Sequence, residues 1–328
     1  MSVLYIKEQG AVIQKAGERI LVTKNAQNLL DIPVIQVENL AVIGNVQITT
    51  PALHMLMEKG IDVSHFTFSG KYLGSTAADS SKNIFLRFEQ YALYLDEKRR
   101  LDMAKIITNN KILNQMALVK HYRRKDAEYD WMGDLQQMEK LRLTLPEKKS
   151  SNEILGVEGM CSNIYFSAFG HMLDCDFKFN GRNRRPPKDP VNVMISLAYT
   201  FLTREVSNAL DSESFEPYLG FLHGIRYGRK SLSLDIVEEF RQPVVDRLVL
   251  LLFNKRMIGK YDFEIEEDRV LLSEDGFKKF CKEYERWMSG KNSYAGEKSF
   301  RSIINSQIAA LKRSIRENTD YTPYRWNA

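Results

Sequence analysis

From Ile84 to Lys120 the chain carries neither glycine nor proline, and its apolar residues return at intervals of three and four among Lys, Gln, Met and Ala. A helix satisfies that spacing, because residues three and four apart share one helical face. Up to about Leu73 a different period rules. The runs Val3–Ile6, Ala11–Ile13, Arg19–Val22, Val34–Val37, Leu40–Ile43, Val46–Ile48 and Val63–Phe66 have strand length and β-branched content, with turn residues between them. One helix is expected among them, with Thr50 as cap, Pro51 at its first position, Leu53, Leu56 and Met57 on its buried face and Gly60 at its end. The small polar stretch from Ser75 to Asn83 lies where the period changes. The sequence therefore predicts an α+β chain of two domains: a small N-terminal mainly-β domain over 1–78 and a larger C-terminal all-α domain over 79–328.

Within the helical part, Ser150 and Glu153 have the form of a capping box, and a hairpin is expected over Phe263–Leu272. Ser289–Ser299 reads as a loop, and the ending DYTPYRW has too few apolar neighbours for order to be predicted. The three cysteines, Cys161, Cys175 and Cys281, are widely spaced, which argues against a disulfide framework or a structural zinc site and fits a reducing compartment. No apolar run reaches the roughly 18 residues of a membrane span and the N-terminus does not read as a signal peptide, so a cytoplasmic protein with no membrane role is expected.

Lys and Arg number 47 against 42 Asp and Glu, a small surplus, but the cations are grouped at Lys98–Arg100, Lys120–Lys125, Arg182–Lys188 and Arg226–Lys230. Grouped cations attract a polyanion even at modest net charge; solvated helix faces are the plainer explanation of any one cluster. The loop FNGRNRRPPKDP brings Arg182, Arg184, Arg185 and Lys188 to the start of a helix capped by Asp189 and opened by Pro190. Arginine forks and helix N-termini both suit phosphate oxygens.

Two acidic elements are candidates for chemistry. In SLSLDIVEEFRQP, read as a helix from Ser231 or Ser233, Leu234, Val237, Phe240, Val244, Leu248 and Leu251 take the buried side, leaving Asp235, Glu238, Glu239 and Gln242 on the other faces. Asp235 and Glu238, three apart, repel unless something positive compensates. Arg241 does so in a simple ion-paired helix; a divalent cation does so more strongly, above all if His223, placed between Gly220 and Gly224, reaches it. Oxygen ligands suit Mg²⁺ and Mn²⁺, and an imidazole favours Mn²⁺. The second element is Glu158, set between Gly156 and Gly159 inside a helix. Each helical glycine costs about 1 kcal/mol relative to alanine. Close approach of another backbone, turning Glu158 into a cleft, would account for them; so would plain helix packing with Glu158 in water.

The motifs LGVEG, GRNRRPPKDPVN, GFLHG and SLSLDIVEEFRQP, in that order and over essentially the whole chain, resemble the CRISPR-associated integrase of spacer acquisition, the "Cas-one" family. The ending YTPYRW resembles that of subtype I-C members. The resemblance implies a metal site of Glu158, His223 and Glu238 for Mg²⁺ or Mn²⁺, with Asp235 a further acidic residue of the catalytic centre. Between Glu238 and Glu239, the spacing of three from Asp235 favours Glu238. It implies a DNA endonuclease and integrase that uses water or the 3′-hydroxyl of a prespacer against a phosphodiester of the repeat. It also implies a homodimer joined through the β domain, which meets a small second adaptation protein as two dimers around a central dimer, on double-stranded DNA. Arg226 and Arg241 are then expected at flanking phosphates, with Arg182, Arg184, Arg185 and Lys188 at more distant ones. A non-catalytic DNA-binding scaffold and an unrelated divalent-metal nuclease are the competing expectations.

Overall fold

Short β-branched runs can bury their side chains only by pairing, and the first seventy-odd residues do so in two sheets. The structure, a computed structural model, describes residues 2–77, 83–123, 126, 128–183, 186–265, 270–291 and 297–326. Strands β1 (Ser2–Ile6), β5 (Val37–Ile43), β7 (Asp62–Phe66) and β8 (Tyr72–Thr76) form one sheet in the order β1-β5-β7-β8, with β1 and β7 parallel to β5. The second sheet runs β4 (Gln27–Pro33), β3 (Arg19–Lys24), β2 (Val12–Ala16), β6 (Gln47–Ile48). Leu40, Ala41, Val42 and Ile43 of β5 are all buried, as a central strand covered on both faces requires. Ile13, Ile20 and Val22 point from the second sheet into the same core, with Met55 and Leu56 of helix α1 (Thr50–Glu58).

Three local expectations shift. Helix α1 starts one residue earlier than predicted, with Thr49 at the cap position but making no side-chain cap bond, and Pro51 one position further in. Val34–Gln36 forms a 3-10 turn instead of a strand, burying Val34 and exposing Ile35 where the chain leaves one sheet for the other. Strands β4 and β8 lie outside the predicted set. Both are edge strands that are only partly covered: Leu30 and Ile32 of β4 pack against the core while Gln27–Leu29 and Asp31 are exposed, and β8 alternates half-buried with exposed residues, with Leu73 on the exposed side.

The chain divides into two units, Met1–Ser80 with Cys281–Glu285, and Ser81–Phe280 with Arg286–Ala328. The second is helical: α2 (Ile84–Leu95), α3 (Glu97–Tyr122), α4 (Trp131–Arg142), α5 (Ser151–Met172), α6 (Pro190–Ser212), α7 (Ser231–Phe240), α8 (Arg247–Asn254), α9 (Glu274–Ser289) and α10 (Phe300–Glu317). The expected hairpin is present as β9 (Phe263–Ile265) and β10 (Val270–Leu272). This is an α+β chain, β-rich first and helical after.

Long α3 packs against α4, α5 and α7 and is buried along much of its length. Its buried face holds Asn110, Lys111, Asn114 and Gln115 beside Ile107, Ile112 and Leu118. Polar groups taken out of water need partners, and these find them in the elements that carry the candidate site.

Candidate active site

Helix α7 continues into one turn of π-helix over Arg241–Asp246 before α8 begins. Pro243 explains the widening. It has no N–H to give, and its ring collides with the carbonyl four residues back. That carbonyl, on Glu239, instead accepts from Asn114 Nδ2 at 3.0 Å. The α7 helix is buried on all sides, so Asp235, Glu238, Glu239 and Gln242, expected on open faces, are at most 3% exposed. Amphipathic periodicity does not register a helix surrounded by protein when its partners are themselves polar.

Each of these acids has a separate task. Asp235 reaches back to the loop before its own helix. Its Oδ2 accepts from the backbone N–H of Phe221 (2.5 Å) and Leu222 (3.0 Å), and its Oδ1 from the N–H of His223 (2.9 Å). His223 Nδ1 lies 2.7 Å from the same Oδ1. A carboxylate only accepts, so Nδ1 carries the hydrogen and Nε2 is left to face a ligand. Asp235 thus stands behind the His223 ring, and His223 is held at both its backbone N–H and its ring. Gly220 serves close approach: a Cβ there would lie 2.6 Å from the Ser231 carbonyl carbon and 2.8 Å from Asp235 Oδ2.

Glu238, one turn on, meets a cation the sequence did not single out. Lys111 of α3, its side chain 6% exposed, ion-pairs with Glu158 Oε1 of α5 and lies 2.6 Å from Glu238 Oε2. That Glu238 oxygen gains no well-directed hydrogen bond from the contact. Arg241 Nη2 stands 3.1 Å from the other oxygen. Burial alone would raise the Glu238 carboxyl, but Arg241, Lys111 and His223 reverse this and bring it to about 2. Burial also opposes ionisation of Glu158, as does the neighbouring Glu238 charge; Lys111 outweighs both, and the carboxyl titrates below its usual range. Ser162 Oγ donates to Glu158 at 2.8 Å, and Gln115 Nε2 donates to Ser162 at 3.2 Å. Glu158 and Glu238 are thus drawn together on Lys111, with His223 near enough to act on the Glu238 charge.

Gly156 and Gly159 are not there for backbone packing, since a Cβ on either would meet nothing within 4 Å. Gly156→Ala and Gly159→Ala are therefore expected to stabilise α5 by up to about 1 kcal/mol each; thermal melting of the single variants checks this, and a fall in melting temperature would reveal a contact at the glycine.

Glu239 faces away from Glu238, toward the C-terminal tail. Tyr321 Oη donates to it at 2.7 Å and the N–H of Tyr324 at 2.9 Å. Asn110 Nδ2 donates to the Tyr324 carbonyl (2.8 Å), and the Trp326 N–H donates to Asn114 Oδ1 (3.0 Å). The tail, for which no order was predicted, is held by these bonds and by the buried Trp326 under Arg247. Burial pushes Glu239 up to about 7 despite its donors, from an ordinary 4.5. The folded state then holds a proton that the unfolded chain releases, so this contribution is whole below pH 4.5 and lost as pH rises through 7, on the order of 3 kcal/mol. Glu239→Gln should remove that slope; urea denaturation of both proteins at about pH 5 and about pH 8, on either side of most of this titration, checks it.

Arg241 also lies over the Tyr199 ring, 4.6 Å from its centroid. Tyr199 Oη and Tyr165 Oη donate to the buried Asp246, which burial holds at about 6 against these bonds. The basic loop divides. Arg182 is turned inward, to Asn192 Oδ1 (2.7 Å) and Ser196 Oγ (2.9 Å), so its expected role at phosphate meets a guanidinium already engaged. Lys188 and Arg226 are exposed. Arg184 and Arg185 lie outside the described residues. As predicted, Asp189 caps α6 through the Asn192 N–H (2.8 Å) and Pro190 opens it. At α5, Ser150 accepts from Glu153 N–H, but Glu153 returns its bond to Lys149 N–H, one residue short of a full capping box.

Among the described residues, no three His, Cys, Asp or Glu side chains converge as a metal-binding group. The donor chemistry nevertheless fits a divalent cation. Two ionised carboxylates and an imidazole oriented by a carboxylate form a common donor set, and a cationic nitrogen already stands against both carboxylates.

The family model described as "CRISPR associated protein Cas1" matches residues 4–286. The chain belongs to the Cas1 family. Among its relatives, CRISPR-associated endonuclease Cas1 3 of Thermus thermophilus is 32% identical over 330 residues, covering 99% of this chain and 97% of the relative. Two solved structures share the Cas1 fold. One is a Cas6-RT-Cas1--Cas2 complex, with a TM-score of 0.84 at 24% identity over 99% of this chain and 36% of that one. The other is a casposase bound to integration product, with a TM-score of 0.84 at 23% identity over 99% of this chain and 95% of that one. Sequence reasoning missed Lys111. Its signal was a lysine at the apolar phase of α3, four residues after Ile107, but nothing local shows that two distant carboxylates await it.

Proposed function

We propose that this Cas1-family chain is a DNA endonuclease and integrase of CRISPR adaptation. The observation that carries the reading is the pairing of ionised Glu158 and Glu238 beside a histidine whose ring is aimed by buried Asp235. Bound Mg²⁺ or Mn²⁺, held by Glu158, Glu238 and His223, would polarise a phosphate oxygen and ease ionisation of the attacking hydroxyl. The chain's own residues set the rest. Asp235 fixes the ring that presents Nε2, and the exposed cations Arg226 and Lys188 face backbone phosphates. Arg184 and Arg185 join them in this reading, and Arg241 balances charge at Glu238.

In integration the 3′-hydroxyl oxygen of a prespacer forms a new bond to the repeat phosphorus, and the bond to the leaving strand oxygen breaks. One phosphodiester replaces another, so no external energy source and no covalent enzyme intermediate is needed. With water as nucleophile the same displacement is cleavage. Phosphate contacts position DNA without reading its sequence, so binding should fall steeply with salt.

The assembly that accompanies this reading is a homodimer, bridged to others by a central dimer of the small Cas2-type protein. A Cas1-fold neighbour solved in complex with Cas2 supports it. The β unit would serve dimerisation, and Ile84, Phe88, Tyr91 and Leu95, an exposed apolar row on α2, offer further contact area. The test is incubation of the purified protein with a 3′-hydroxyl duplex and a repeat-containing supercoiled plasmid, with Mn²⁺ or Mg²⁺, with and without the partner. Covalent joining of duplex to plasmid is expected. Nicking alone would point to an unrelated nuclease, and binding without any strand cleavage to a scaffold.

A further inference from the structure

Lys111 is a buried cation on the inner face of α3, and both of its ion-pair partners belong to the carboxylates that the proposed metal would use. Neither carboxylate could lie in this environment without a positive charge beside it: Glu238 is buried and Glu158 nearly so, and an isolated buried carboxylate would repel its neighbour and take up a proton. We propose that Lys111 is the built-in counter-ion of this site. It holds, between Glu158 and Glu238, the place that a divalent cation takes, and it yields that place when the cation binds.

The inference rests on the metal reading above. The Lys111 ammonium stands between the two carboxylates, where a bridging divalent ion would sit. Such an ion needs its oxygens at about 2.0–2.1 Å for Mg²⁺, closer than a lysine nitrogen donates, and the two cations repel. The four-carbon stem of lysine is flexible enough to withdraw the charge without moving α3. Two consequences follow. The site stays assembled without metal, because the carboxylates are already drawn together. Metal affinity is also lowered, because each binding event displaces an existing ion pair.

Calorimetric titration with Mn²⁺ alone tests this on wild type, Lys111→Met, Lys111→Arg, Glu158→Gln and Glu238→Gln. Lys111→Met, with similar length and no charge, is expected to bind Mn²⁺ at least about tenfold more tightly than wild type, to melt lower without metal, and to gain more on adding it. Lys111→Arg should bind no more tightly than wild type. A purely structural lysine would lower the melting temperature without tightening Mn²⁺ binding, and unchanged or weaker affinity in Lys111→Met overturns the proposal. If Lys111→Met does not fold, wild type decides. Amine acylation read by mass spectrometry at Lys111 should rise on adding Mn²⁺, and constant labelling counts against displacement. Should Glu158→Gln and Glu238→Gln leave wild-type Mn²⁺ binding unchanged, the metal site itself is wrong; should they abolish it while Lys111→Met does not tighten it, the counter-ion role alone fails.

Discussion

Glu238→Gln is expected to lose strand transfer and DNA cleavage by on the order of a thousandfold or more while keeping the fold. In the proposed mechanism Glu238 is an anionic ligand of the metal, so its removal forfeits several kcal/mol of charge stabilisation at the reacting phosphate, and about 4 kcal/mol corresponds to that factor. Glutamine keeps the volume of a side chain that is 3% exposed. Alanine is the poorer choice, because it would leave Lys111 and Arg241 facing a buried void. Even the glutamine variant should be somewhat less stable without metal, since Arg241 loses its carboxylate partner. Glu158→Gln and His223→Ala should match it in activity. Circular dichroism confirms folding and the plasmid assay reads activity; strand transfer within about tenfold of wild type, a difference of about 1.4 kcal/mol, would remove the substituted residue from the mechanism.

Asp235→Ala should show the opposite balance, with the larger loss in stability. Its carboxylate takes the backbone N–H groups of Phe221, Leu222 and His223 together with the His223 ring, at 0% exposure. Each buried donor left without an acceptor costs about 1–3 kcal/mol, so roughly 3–5 kcal/mol is expected in urea denaturation after partial relaxation. Asp235→Asn should recover part of this, because its amide oxygen keeps two of the four donors while the NH₂ group loses the other two. At temperatures where Asp235→Asn is folded, activity should fall about 10–100-fold, the range for groups that orient a metal ligand. A loss as complete as that of Glu238→Gln, with full stability, would mean that Asp235 touches the substrate or metal directly.

Pro190, the Asp189 cap and the Phe263–Leu272 hairpin were legible because each follows from a few neighbouring residues; the helical period over Ile84–Lys120 was legible too, but not its break at Asp96, which ends α2 and caps α3. The edge strands β4 and β8 were not, because polar Gln27, Asn28 and Asp31 interrupt β4, and β8 has Gly74, Ser75 and Thr76 where apolar residues would mark a strand. The tail looked unanchored for a different reason: Tyr321, Tyr324 and Trp326 are held by Glu239, Asn110 and Asn114, all distant in sequence.

The same division runs through the site. By itself the sequence determined that a β-rich segment precedes a helical one, and that a histidine loop leads into an acidic helix; period, capping and turn chemistry act over a few residues. Only the tertiary structure decided which acid does what. Asp235 turns back to the histidine, Glu238 turns to Lys111 and Arg241, and Glu239 turns to the tail. A carboxylate's role is set by the charges and donors that surround it once water is excluded, and those come from α3, α5 and the C-terminus, which only folding brings to one place.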